Sequence, residues 1–231
     1  MNLLAVDTSG PVAGVAVLKD GEVAYEGAAV NRLTHSVNLM PMIEEALGRA
    51  GLDVSEIGLY AAVTGPGSFT GVRIGVETAK ALCHALEKPC VPVNALEAIA
   101  RGAGAFSGVV CPLQDARAGQ VYCAAYRGGE RILPDGAMKL GEFLESLPDG
   151  DGCLFIGDGA EANREKIVQA MGERAVFAQA GEMNLRAANA ALIAGEKSGT
   201  AVGWRELLPY YLRRPQAERE REAREAASHA E

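Results

Sequence analysis

The chain passes twice through one order of apolar segments and glycine turns, and no other feature restricts its fold as much. An apolar stretch from Leu3 ends at Asp7-Thr8-Ser9-Gly10-Pro11, and a second, residues 14–18, ends at Lys19-Asp20-Gly21. That alternation predicts a β-hairpin or meander with an acid at its first turn. A helix is expected over residues 36–50, stopped by Gly51, with Pro41 in its first turn or kinking it. A strand at 59–64 then enters Gly65-Pro66-Gly67-Ser68, followed by a long helix from Phe69, a strand at 90–93 and a helix ending at Arg101. From residue 108 the order returns. Strands are expected at 109–114 and 121–126 around Asp115-Ala116-Arg117, then a helix near 140–147 and a strand at 153–156. That strand enters Gly157-Asp158-Gly159, and a helix, a short strand and an Ala-rich helix at 184–196 close the set.

Any α/β chain alternates elements, but a turn acid and a glycine pair at matching places favour a duplicated α/β fold. Two such lobes around a cleft form the actin-like ATPase and sugar-kinase (ASKHA) architecture. The first lobe is expected at 1–103, with the joint near Gly102-Ala103-Gly104. The second follows at 104–215, and 216–231 is a charged tail with no assigned role.

Composition narrows the function classes. With 22 Lys+Arg against 30 Asp+Glu the formal charge is −8, which argues against unaided binding of a phosphate backbone. Aromatic residues are 5% of the chain, too few for a base-stacking platform. No secretory leader and no apolar run of roughly 18 residues is visible. The 5 cysteines are scattered without a C-x-x-C pair and read as small buried hydrophobes in a reducing cytoplasm. The 3 histidines are far apart and form no zinc motif, and no G-x-S-x-G elbow is present. Glycine, at 28 residues against roughly 16 for average usage, points to close backbone approaches.

Two sites for an anion are conceivable. Gly65, Gly67 and Ser68 lie between a strand and a helix, where free N–H groups favour negative charge, or they form a tight turn capped by Ser68. The segment is no Walker loop, since Val72 and Arg73 follow Gly71. Asp7, Thr8 and Ser9 could hold a metal–phosphate group, or form a solvated Asx-turn.

The helix from Phe69 carries an apolar arc of roughly 260°, where a surface helix needs only about 100°. It must be covered on two sides. Gly71, Gly75 and Ala79 with Leu82 make a stripe of mostly small residues, and Met40, Ile43 and Leu47 give the preceding helix surplus apolar surface. Together they fit half of a four-helix contact between subunits, or a pair packing only on each other.

The run from Gly65 to Gly75 resembles the signature of the TsaB (YeaZ) family. Ala5-Val6-Asp7-Thr8-Ser9, His35-Ser36, Asp115-Ala116-Arg117 with Val121-Tyr122, and Tyr211-Leu212-Arg213 match beside it. The resemblance implies a cytoplasmic bacterial subunit of the machinery that forms N6-threonylcarbamoyladenosine in tRNA, next to the anticodon. It implies the catalytic paralogue TsaD as partner, docked through the first-lobe helices, and cooperation with the ATPase TsaE. A homodimer could use the same helices, and no membrane or unaided nucleic-acid contact is implied. The paralogue's metal-binding H-x-x-x-H falls on Ala95 and Ile99 here, neither of which can bind a metal. A non-catalytic subunit follows, with no cofactor of its own and ATP or ADP left to the complex. The alternative is an ATP-dependent transferase or kinase using Asp7, Gly65–Gly67 and Asp115.

Overall fold

The computed structural model describes residues 1–30 and 35–213, so the expected tail at 216–231 lies outside the described residues. The first half forms β1 (Asn2–Asp7), β2 (Ala13–Lys19), β3 (Glu22–Ala29), α1 (His35–Ala50), β4 (Ile57–Gly65), α2 (Phe69–Leu86), β5 (Cys90–Asn94) and α3 (Ala95–Arg101). The second forms β6 (Val109–Asp115), β7 (Gln120–Arg127), β8 (Glu130–Lys139), α4 (Leu140–Ser146), β9 (Cys153–Ile156), α5 (Asp158–Ala162), α6 (Arg164–Met171), β10 (Ala175–Phe177) and α7 (Ala187–Glu196).

The two sheets have one topology. Strand order is β3-β2-β1-β4-β5 in the first and, read the same way, β8-β7-β6-β9-β10 in the second. In each, three strands form an antiparallel meander and two more join in parallel. The duplication expected from the order of segments is therefore present.

Parallel strands need cover on both faces, which is why β1 and β4 read as nearly unbroken apolar runs. Their period of two divides the residues between two cores. Leu4, Val6, Tyr60 and Ala62 join Leu39, Ile43, Val72 and Val76 beneath α1 and α2. Leu3, Ala5, Leu59 and Ala61 face the other way, onto Ala187, Ala190, Ala191 and Ala194 of α7. The second sheet packs Cys111, Leu113, Cys123 and Phe155 under α4 and α6, and turns Val110, Ala124, Leu154 and Ile156 towards Leu96 and Ile99 of α3. Each half thus lends its last helix to the other half's sheet. The repeats meet in chain order between α3 and β6, but α3 and α7 each pack on the other half's sheet.

The helix ends follow local chemistry. Ser68 caps α2 by accepting from the Gly71 N–H at 3.3 Å, and Asn94 caps α3 by accepting from the Glu97 N–H at 3.0 Å. Pro41 sits inside α1, beyond the first turn, where its missing N–H leaves one carbonyl of the preceding turn without its helical donor.

Candidate functional site

Asp7 ends β1 and is buried with Thr8 and Ser9. One carboxylate oxygen accepts the Ser9 N–H at 2.9 Å, an Asx-turn that is buried rather than solvated. Burial raises the Asp7 carboxyl to about 6, against lowering contributions from the Ser9 hydrogen bonds and the nearby His35. Asp158, at the start of α5, is likewise raised to about 6 by burial. Both acids line one cleft with Gly10, Ile99, Gln114 and Asn184, between the two sheets. The cleft holds about 240 Å³ up to its open mouth. Much of that space is open solvent, so the enclosed part falls well short of the about 300–1,000 Å³ of a ligand pocket.

The loop at 65–68 is filled from within the chain. A Cβ on Gly67 would overlap the Ser9 carbonyl, which accepts the Ser68 N–H at 2.7 Å. The N–H groups expected to face an anion are thus partly spent on Ser9 O and on the Ser68 cap. Gly159 does the same in the second half, where a Cβ would lie 2.6 Å from the Gln114 carbonyl carbon. Asp7, Thr8, Ser9, Gly67 and Ser68 are therefore brought together, and Gly65 faces away onto the backbone of Tyr210.

The stripe on α2 points inward, which corrects its expected orientation. Gly71 and Gly75 admit the β1 turn: a Cβ on Gly71 would overlap the Thr8 carbonyl, and one on Gly75 would lie 2.6 Å from Thr8 Oγ1. That hydroxyl donates to the Gly71 carbonyl at 2.7 Å. Ala79 is buried, as are Ile43 and Leu47 of α1, and Leu82 is half-buried. The small residues serve helix-to-turn packing, so they are not available to a second helix. What the pair leaves open lies about a quarter turn away: Val37 and Met40 on α1, 60% and 44% exposed, with Ala81 and Ala85 of α2 and half-buried Ile74.

Residues 202–213 supply part of the cover that α2 needs. Val202 bridges to Cys90, Leu207 is buried in the core below α1 and α2, and Trp204 lies 4.3 Å from the His84 ring. Tyr211 stacks on Phe69 at 4.7 Å. Only the Tyr211-Leu212-Arg213 match singled this segment out in the sequence; the apolar Leu207 and Leu208 were the unused signal.

Similarity to known proteins follows the same outline. The family model described as TsaD, tRNA N6-adenosine threonylcarbamoyltransferase, matches residues 29–220. The tRNA threonylcarbamoyladenosine biosynthesis protein TsaB of Bacillus subtilis is 34% identical over 223 residues, covering 94% of this chain and 96% of that protein. The protein of the same name from Escherichia coli is 37% identical over 132 residues, 56% of this chain and 57% of its own. Among solved structures, YeaZ from Pseudomonas aeruginosa superposes with a TM-score of 0.76 at 29% identity, covering 91% of this chain and 99% of that one. An inorganic polyphosphate/ATP-glucomannokinase from Arthrobacter shares the fold alone, at a TM-score of 0.51 and 11% identity over 86% of this chain and 98% of its own.

Proposed function

Since the chain belongs to the TsaB (YeaZ) family of tRNA threonylcarbamoyladenosine biosynthesis proteins, we propose that it serves that pathway as a docking subunit for the catalytic paralogue TsaD. The observation that carries this reading is the uncovered apolar face of α1 and α2. Val37 and Met40 are exposed on α1, and Ala81 and Ala85 are exposed on α2, where their small side chains let another helix approach closely. A close-packed helix pair on the partner completes a four-helix contact there, and TsaE acts on the assembled pair. A second copy of this chain is the competing occupant of the same face.

The chain's own cleft supports a non-catalytic role. Ala95 and Ile99, at the positions of the paralogue's metal ligands, are buried apolar residues, and Ile99 lines the cleft. Among the described residues no group of three or more His, Cys, Asp or Glu side chains could hold a metal. No helix among them is long and apolar enough to cross a membrane. In this reading ATP or ADP belongs to the complex, which works in the cytoplasm.

Met40→Glu and Ala85→Glu test the docking face. Both sites are exposed, so thermal unfolding should be unchanged, while affinity for purified TsaD should fall about tenfold or more, as for a central interface residue. Wild-type affinity in both variants would remove the helices from the interface.

A further inference from the structure

We propose that residues 202–213 act as an interlobe clasp that ties the start of α2 to the β6–β7 turn of the second sheet. The inference is independent of the TsaD assignment and stands or falls on the isolated chain.

The segment is anchored first to the first sheet. Val202 and Cys90 exchange backbone hydrogen bonds at 2.8 and 3.0 Å, which adds a pair to the edge of β5. The buried Leu207 then pins the chain beneath α2. The Tyr210 N–H donates to the Thr64 carbonyl at 2.8 Å, and the absence of a side chain on Gly65 makes room, since a Cβ there would lie 2.5 Å from Tyr210 O.

From this base the segment crosses to the second sheet. Asp135 of β8 accepts from Asn94 Nδ2, at the end of β5, at 2.5 Å and pairs with Arg131 at 3.2 Å, and burial, helped by its nearness, raises the Tyr210 hydroxyl above its ordinary range. Arg213 Nη1 donates to the Ala116 carbonyl at 2.8 Å. Its seat is a defined one. Arg117, Ala118 and Gly119 all take positive φ, at 60°, 53° and 71°. Asp115 holds the turn by accepting the Arg117 N–H at 2.9 Å, and the Ala116 N–H reaches Gln120 O at 3.0 Å. Two consecutive non-glycine residues in the left-handed region persist only where surrounding bonds fix them.

Between the anchors lies the link to α2. Arg73 Nε donates to the Tyr211 hydroxyl at 2.9 Å, and its guanidinium lies 4.1 Å from the Phe69 ring centre, while Tyr211 stacks on that same ring. Three separate sequence blocks, at 65–75, 115–117 and 211–213, therefore meet through direct contacts outside the cleft. Restraint on the turn passes through Arg213 and Tyr211 to the first turns of α2.

Hydrogen exchange on the full chain tests the clasp. Arg213→Ala removes one charged donor, so amides of Ala116 and Gln120 should exchange about five- to tenfold faster. The clasp also requires faster exchange at Gly71 and Val72, at the start of α2. Tyr211→Phe keeps the ring and removes the acceptor for Arg73, and should produce the same pair of changes from the other end. If Arg213→Ala does not fold, Tyr211→Phe decides alone. Faster exchange confined to the end that was mutated, or no change at either, overturns the proposal.

Discussion

Asp7 and Asp115 occupy equivalent places, each ending the first strand of its sheet and each accepting, at 2.9 Å, the backbone N–H two residues ahead. The first is buried and the second is exposed. One local motif has thus been kept twice in two environments, and burial rather than hydrogen bonding separates them.

That burial makes stability depend on pH. An unfolded Asp carboxyl titrates near 3.8, and in the fold Asp7 is raised to about 6. Between those values the native state binds more protons than the unfolded chain, so stability falls as pH rises from about 4 to about 6 and then levels off. Asp158 acts in the same direction. Asp7→Asn keeps an acceptor for the Ser9 N–H and removes the charge. It should equal the wild type near pH 4 and exceed it above pH 7, by at most roughly 3 kcal/mol. Urea unfolding at the two pH values measures the difference.

The inward stripe on α2 predicts a separation of stability from partner binding. Gly75→Ala places a methyl group 2.6 Å from Thr8 Oγ1 and disturbs its bond to the Gly71 carbonyl, which should cost about 1–3 kcal/mol. Ala81→Leu adds bulk on an exposed position and should leave the unfolding midpoint within the range of ordinary surface changes. It should nevertheless block a close helix partner. Calorimetric melting and titration with TsaD read the two effects on the same samples.

The repeat was legible in the sequence because period-two alternation and glycine turns are local signals. The order of segments along the chain and the acid-bearing turns at Asp7 and Asp115 followed from them, whereas β8 at Glu130–Lys139 did not. The orientation of α2 was not legible. An arc of roughly 260° says that two sides are covered, but Gly71 and Gly75 suit a helix or a turn equally. What decides is that Thr8 lies against them, a contact between distant parts of the chain. The exchange of α3 and α7 was hidden for the same reason: an Ala-rich helix fits any flat apolar sheet, and periodicity cannot say which one. Leu207, the anchor of the last segment, lacked a periodic context altogether.

The filled glycine loop and the small cleft predict weak nucleotide binding by the isolated chain. Gly67 and Ser68 are already engaged with Ser9, and the cleft's volume of about 240 Å³ is in large part open solvent. Calorimetric titration with Mg-ATP should give no saturable heat at millimolar ligand. A stoichiometric isotherm in the micromolar range would instead support catalysis in this chain's own cleft.

Helix exchange makes a prediction about fragments. Residues 1–103 contain the whole first sheet with α1 and α2, and the repeat pattern alone would make them an independent lobe. Without α7, however, Leu3, Ala5, Leu18, Leu59 and Val63 lose the alanines that cover them, on a sheet whose strands are apolar on both faces. Leu96 and Ile99 of α3 lose the second sheet as well. A fragment 1–103 should therefore be insoluble or show no cooperative melt. Co-expression with 104–213 should restore a soluble, cooperatively melting complex, because α7 supplies the missing layer. Glu26 adds specificity to that union: its carboxylate accepts the Ala188 N–H at 3.0 Å and pairs with Arg186. Glu26→Ala should weaken fragment association about fivefold or more, the effect of losing a charge-assisted bond at a helix start. A fragment 1–103 that melts cooperatively by itself would show that the exchanged helix is dispensable to the first sheet.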